Sequence, residues 1–201
     1  MSITANLIAP LNAAYTLGGF DIPMLPFNEA NSATFKNGAL LGISAASGTL
    51  VEATAALPTV QIAGIAQQAG TNNASAPVYP NYGLVYPAGA SSGQASSVVG
   101  AALSVAPLLF VPALPHVVFE GTFANNGSDI NIAAVNVFTK YGMTKDATSG
   151  FWYVDGNKTT TNASVLIIGI KNPQDLTLGT TKGGRVYFVF LAAQTMWGLA
   201  S

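Results

Sequence analysis

The stretch Val117-Val118-Phe119-Glu120-Gly121-Thr122-Phe123 decides the fold class of this chain. Large apolar residues alternate in it with small or polar ones, the period-two signature of a strand with one face on a core. Downstream the texture recurs. Phe151-Trp152-Tyr153-Val154 is aromatic and runs into Asp155-Gly156, a strong short hairpin signal. Residues 165–170 read as a buried strand closed by Asn172-Pro173, and Arg185-Val186-Tyr187-Phe188-Val189-Phe190-Leu191 follows the turn pair Gly183-Gly184. Residues 116–201 therefore read as a C-terminal β-module. Within it, 129–141 fits two templates. Ile130, Ala133, Ala134, Val137, Phe138 and Tyr141 have helical spacing, with Ser128 or Asp129 as cap and Gly142 as stop. Ile130-Asn131-Ile132 and Val135-Asn136-Val137 alternate, and the expectation leans to extended or irregular structure.

Upstream, Leu108-Leu109-Phe110-Val111 reads as a fully buried strand or an interface plug. It closes a Pro/Gly/Ser/Tyr-rich excursion over 70–115, a long loop of the kind that serves function or partner contact. Residues 34–69 read as a small β-meander, with turn signals at Asn37-Gly38 and Ser47-Gly48. Its strand Val60-Gln61-Ile62-Ala63-Gly64-Ile65-Ala66 is expected to alternate cleanly, with small residues on one face. Residues 1–33 carry Pro10, Pro23 and Pro26 and no sustained period. Proline favours extended geometry in the residue before it, so an extended arm with apolar anchors is expected. The fold class is thus all-β: small antiparallel barrel or sandwich modules with an extended N-terminal arm and long loops. No 20–50-residue repeat suggests a solenoid or propeller.

Charge sets the functional expectation. Of 201 residues, 7% are charged and 50% hydrophobic, with a net charge of −1 and a mean hydropathy of +0.42. Between Glu52 and Glu120 the chain runs 67 residues without a formal charge, where about seventeen are usual. Such a surface is expected to be covered by other protein, because a soluble monomer normally coats itself with Lys, Glu, Arg and Asp. The apolar content argues against disorder. Seven Lys plus Arg without a cluster neutralise few phosphates, so no nucleic acid is expected. Residues 98–118 are the nearest thing to a membrane span, but Pro107, Pro112 and Pro115 would break a helix there, so no membrane partner is expected. The N-terminus lacks the basic and apolar regions of a signal peptide.

Residues suited to chemistry are sparse. Zero cysteines remove disulfides and thiolate chemistry. His116, the one histidine, sits between Pro115 and Val117 with no nucleophile motif to serve. Glu120 with Asp129, Asp146 or Asp155 could supply a carboxylate pair, yet nothing singles one out. Thr180-Thr181-Lys182-Gly183-Gly184-Arg185 lacks phosphate-loop order and leads into a strand. No enzyme activity, cofactor or metal is expected. Trp152, Tyr153, Trp197, Tyr79, Tyr82 and Tyr86 could form a sugar platform, which keeps a fibre or carbohydrate-binding module as the alternative.

Several segments carry a family resemblance: Val117-Val118-Phe119-Glu120, Asn125-Asn126-Gly127-Ser128-Asp129, 140–146, Phe151-Trp152-Tyr153-Val154-Asp155 and 184–191, with Phe35-Lys36-Asn37-Gly38-Ala39-Leu40-Leu41-Gly42 and 62–66 upstream. In texture and order they resemble the small β-rich proteins that decorate tailed-bacteriophage heads. The resemblance covers about 60% of the chain, contains no diagnostic signature, and offers no counterpart for 70–97. It implies a cement protein made in the host cytoplasm and carried on the outer capsid surface of the virion. The implied partners are the major capsid protein and two further copies in a homotrimer. Interface residues are then expected at Leu7, Ile8, Phe20, Met24 and Phe27 in the arm, at Tyr79, Tyr82 and Tyr86, and at Leu108, Leu109 and Phe110.

Overall fold

The computed structural model describes residues 8–27, 34–44, 49–53, 62–67, 69–71, 78–79, 84–85, 95–98, 101–104, 108–125, 128–129, 136–159, 163–171 and 184–197. Its strands are β1 (Asn12–Thr16), β2 (Leu25–Phe27), β3 (Thr34–Phe35), β4 (Leu40–Ile43), β5 (Leu50–Glu52), β6 (Ile62–Ala66), β7 (Gly70–Thr71), β8 (Val78–Tyr79), β9 (Leu84–Val85), β10 (Ala95–Val98), β11 (Ala101–Ser104), β12 (Leu108–Pro112), β13 (Val117–Asn125), β14 (Ser128–Asp129), β15 (Lys140–Lys145), β16 (Trp152–Asp155), β17 (Val165–Ile170) and β18 (Arg185–Phe190). The chain is all-β, and no helix among the described residues is long and apolar enough to cross a membrane.

Five strands close on themselves in the order β13-β16-β15-β17-β18, because β18 pairs back onto β13. The β13–β16 contact is parallel and the other four are antiparallel. β1 extends the resulting seven-stranded sheet at one edge and β14 pairs with β13. Alternation drives the closure: in β18, Val186, Phe188 and Phe190 are buried while Arg185, Tyr187 and Val189 are half-covered outside. Phe119 stacks on Phe188 at 6.0 Å and meets Phe190 edge-on at 5.1 Å, and Phe123 meets Tyr141 at 5.1 Å. These separations suit aromatic pairs.

A five-stranded antiparallel sheet, ordered β2-β12-β6-β4-β5, packs against the barrel. The expected meander is not formed: β6 pairs on the far side of β4 from β5, and β12 inserts between β6 and β2. The reason lies in burial. All five residues of β6 are buried, so it takes the centre, while β5, carrying Glu52, takes the edge. Clean alternation in β6 also fails. A register shift between Leu41 and Gly42 puts Ile62 and Ile65 in the barrel-side core and Ala63 and Ala66 in a second core with Leu41, Leu50 and Phe110, as a one-residue slip must. Gly64 is required here, since a Cβ would lie 2.1 Å from the Val111 carbonyl oxygen.

The Asp155-Gly156 hairpin is likewise not made. β17 follows that turn but pairs with β15 and β18 instead of β16. The carboxylate of Asp155 accepts from the Thr144 hydroxyl at 2.7 Å and the Asn157 amide at 3.1 Å, and the Gly156 amide donates to Ala124 O at 2.8 Å. Beyond the turn, β17 pairs on the far side of β15 from β16. The hairpin that does form joins β15 to β16 through Gly150, whose φ of +72° suits glycine.

The N-terminal segment is extended, as expected, but not free. β1 pairs with β13 and β2 with β12, and Leu11, just before β1, is fully buried in the barrel-side core. The C-terminus returns too: Thr195 bridges Ile62, the Met196 amide donates to Ile62 O at 3.1 Å, and the Trp197 indole to Ala63 O at 2.7 Å. Residues 130–135 lie outside the described residues; 136–139, which include the end of the second alternating run, form a turn into β15.

Candidate interaction surface

The few charged side chains are mostly spent inside the chain. Glu52 accepts from Lys145 Nζ at 2.7 Å and from the Trp152 indole at 2.9 Å. Glu120, on the outer face of β13, pairs with Lys171 at 2.7 Å and Arg185 at 2.8 Å. Arg185 also donates to Pro10 O at 3.3 Å, while the Ala9 amide donates to Thr122 Oγ1 at 3.2 Å. Together these fasten the N-terminal segment across β13 and β18. Lys36 donates to Ser149 O at 2.6 Å and lies 5.0 Å from the Phe151 ring centroid. Lys158 donates to Met143 O at 3.1 Å, and Asp146 accepts from the Ser149 amide at 2.6 Å. Among the charged residues whose side chains the structure describes, Asp21 and Lys140 are those outside such contacts, and both are exposed.

Among the described residues, large apolar side chains reach solvent in two places. The first is the connection from β1 to β2, where Phe20 is 72% exposed and Met24 55%, with Leu17, Tyr15 and Leu25 also exposed. Its conformation is held from within. Gly18 and Gly19 take positive φ, the Leu17 amide donates to His116 O at 2.7 Å, and the Thr16 hydroxyl donates to Phe20 O. Ile22 packs on the core. Tyr15 also meets Tyr187 edge-on at 5.6 Å. Both ends of the loop are strands in different sheets, so Phe20 and Met24 project from a fixed base.

The second place is Phe138, which is 76% exposed and has a φ of +62°. A left-handed conformation costs a non-glycine residue about 1–2 kcal/mol, and a bulky aromatic there is a genuine outlier. Backbone hydrogen bonds impose it: Phe138 N donates to Ile167 O at 2.7 Å, and Ile167 N to Thr139 O at 3.1 Å. The aromatic ring is therefore held out at a rigid corner, two residues before the exposed Lys140.

The residues expected at interfaces divide. Phe20 and Met24 are exposed; Leu109 is half-buried. Ile8 and Phe110 are corrected to core positions: Phe110 is fully buried in the second core and Ile8 packs with Ala124 and Tyr153, so neither presents a face outward. Phe27, Tyr79 and Leu108 lie in β2, β8 and β12, their side chains outside the described residues. Leu7, Tyr82 and Tyr86 fall outside the described residues altogether. Of the aromatic platform, Trp152 and Tyr153 are core residues and Trp197 bonds to β6. His116 is exposed, with only its backbone oxygen engaged in the loop contact. No three His, Asp or Glu side chains converge among the described residues.

Sequence reading missed Phe138. Its only local sign is its position at the end of an ambiguous stretch, because its conformation comes from β17, nearly thirty residues downstream. Phe20 was named, but the Gly18-Gly19 pair, a turn signal that marks where the chain turns before Phe20, was passed over. Compared with protein-family models, curated proteins and solved structures, the chain finds no match in any of the three.

Proposed function

We propose that the chain is a structural virion protein that binds the outer surface of a tailed-phage capsid as a cement or decoration protein, in a homotrimer seated on the major capsid protein. The observation that carries this reading is the Tyr15–Leu25 connection, an apolar projection on a fixed base with a single charge, Asp21. Exposed apolar patches on an otherwise packed body mark contact sites, and interface centres are depleted in Lys, Glu and Asp. The internal use of most other charges leaves little to repel a neighbouring subunit. A cement protein needs contact area and a rigid frame, both of which suit two sheets tied together at both chain ends.

The test uses phage shells lacking their decoration protein. Removing residues 2–27 is unsuitable, because it takes Leu11, β1 and β2 out of the fold. The double variant Phe20→Ser, Met24→Ser changes exposed side chains only. Shell occupancy by the wild-type chain near one copy per capsid subunit, with at least a tenfold loss of affinity in the double variant and an unchanged melting temperature, supports the proposal. Absence of wild-type binding, or equal binding by both proteins, overturns it.

A further inference from the structure

The two exposed aromatic sites carry opposite charges. Phe20 neighbours Asp21 and Phe138 lies two residues from Lys140. Asp21 and Lys140 are also the described charged side chains that the fold leaves without an ion pair or hydrogen bond. In an ordinary protein with a quarter of its residues charged this would mean little. Here, where Glu52, Glu120, Lys145, Lys171 and Arg185 are all committed to internal pairs, these two exceptions among the described side chains stand beside the two most exposed of the described phenylalanines.

They do not serve each other within one copy. No ion pair or hydrogen bond joins them, and the short way round the closed sheet, from β1 through β13 and β16 to β15, crosses three strand spacings, or about 14 Å along the sheet. Lys140 is opposite Leu166, Leu166 opposite Val189, and Tyr15 opposite Val118. The acidic loop therefore leaves the β1 edge, while the basic corner opens β15.

We infer that this chain self-associates head to tail: the Phe20–Asp21 loop of one copy docks on the Phe138–Lys140 corner of a second. The contact is heterologous, joining different patches, so each copy keeps one free loop and one free corner. Such a contact closes into a ring when its rotation permits. Charge complementarity points to a second copy as the occupant, because each copy carries both the acidic loop and the basic corner that attracts it. The left-handed Phe138 fits the same role, since the backbone bonds to β17 that hold it in that conformation leave its ring exposed. This inference deepens the proposal of an assembling virion protein by naming the surfaces that join the copies.

The experiment is sedimentation equilibrium of the purified chain in low-salt buffer over a wide concentration series, without capsid shells. The proteins are wild type, Asp21→Lys, Lys140→Glu and the double swap. Both positions are exposed and lose no intrachain bond, so folding is not at stake. Association of the wild type is expected, weakened at least about tenfold in each single variant by like-charge apposition, and restored to within about threefold in the double swap. A wild type that stays monomeric throughout overturns the inference. Single variants that associate as well as wild type also overturn it, and so does a double swap that fails to recover. The shell-binding assay is independent of this one: association with no shell binding defeats the capsid proposal alone, and shell binding by a monomer defeats the inference alone.

Discussion

The indole of Trp152 donates to Glu52 Oε1 at 2.9 Å, across 100 residues of sequence. It joins barrel strand β16 to the edge strand β5 of the second sheet, and the other oxygen of the same carboxylate holds Lys145 at 2.7 Å. One carboxylate therefore closes the seam between the sheets. Trp152 itself is fully buried, so its N–H has no water to fall back on.

Glu52→Ala is accordingly expected to destabilise the fold by about 1–3 kcal/mol, the usual cost of leaving a buried donor unsatisfied. Glu52→Gln, which keeps an acceptor for the indole, should lose less than half as much. Chemical denaturation with tryptophan fluorescence reports both; equal losses would mean that the indole bond contributes nothing.

Arg185 binds Glu120 and the carbonyl of Pro10 at once. In Arg185→Met, the apolar stem is kept and the charge is lost. The expected cost is about 1.5–3 kcal/mol, the range for hydrogen bonds to charged groups. Hydrogen exchange should localise the effect: the amide of Ala9, bonded to Thr122 Oγ1, should exchange faster while amides of β17 keep their protection.

Gly64→Ala would place a methyl group 2.1 Å from Val111 O and 2.9 Å from Pro112 Cα. Both obstacles are backbone in the central strand pair, which cannot yield as a flexible side chain does. Overpacking commonly costs about 1–3 kcal/mol, and this site should reach or exceed the top of that range. A urea midpoint close to wild type would show that β6 and β12 lie farther apart.

Phe138→Asn should leave the isolated subunit as stable as wild type or more stable, by up to about 1 kcal/mol. Asn tolerates the left-handed region better than a bulky aromatic, and a ring that is 76% exposed has little burial to lose. The same substitution should weaken self-association. Thermal melting in dilute solution, paired with sedimentation, separates the effects; a loss of stability of more than about 1 kcal/mol would mean that the ring packs on its own chain.

Much of the fold was legible because it rests on local alternation. The patterns in 117–123, 165–170 and 185–191 announce β13, β17 and β18, and Asn37-Gly38 marks a real turn, with Gly38 at φ +78°. Strand neighbours were another matter. Asp155-Gly156 has the composition of a hairpin, but the Asp155 carboxylate is captured by Thr144, a residue eleven positions away that turn chemistry alone does not include. Phe110 reads equally well as plug or core strand, since an apolar side chain has the same sequence signature whether its own chain or another covers it. The interaction surface was half legible: Phe20 and Met24 were expected at an interface, while Phe138 was not.

By itself, the sequence determined the all-β class, the positions of the main strands and the scarcity of charge. These follow from side-chain chemistry and two-residue periodicity, which each segment carries alone. Tertiary structure decided the closed order β13-β16-β15-β17-β18, the central place of β6, the stitching of the N-terminal segment into both sheets and the left-handed turn at Phe138. Those features depend on which hydrogen-bonding edge meets which, and on the competition among distant strands for the most deeply buried positions, and no single segment contains that information.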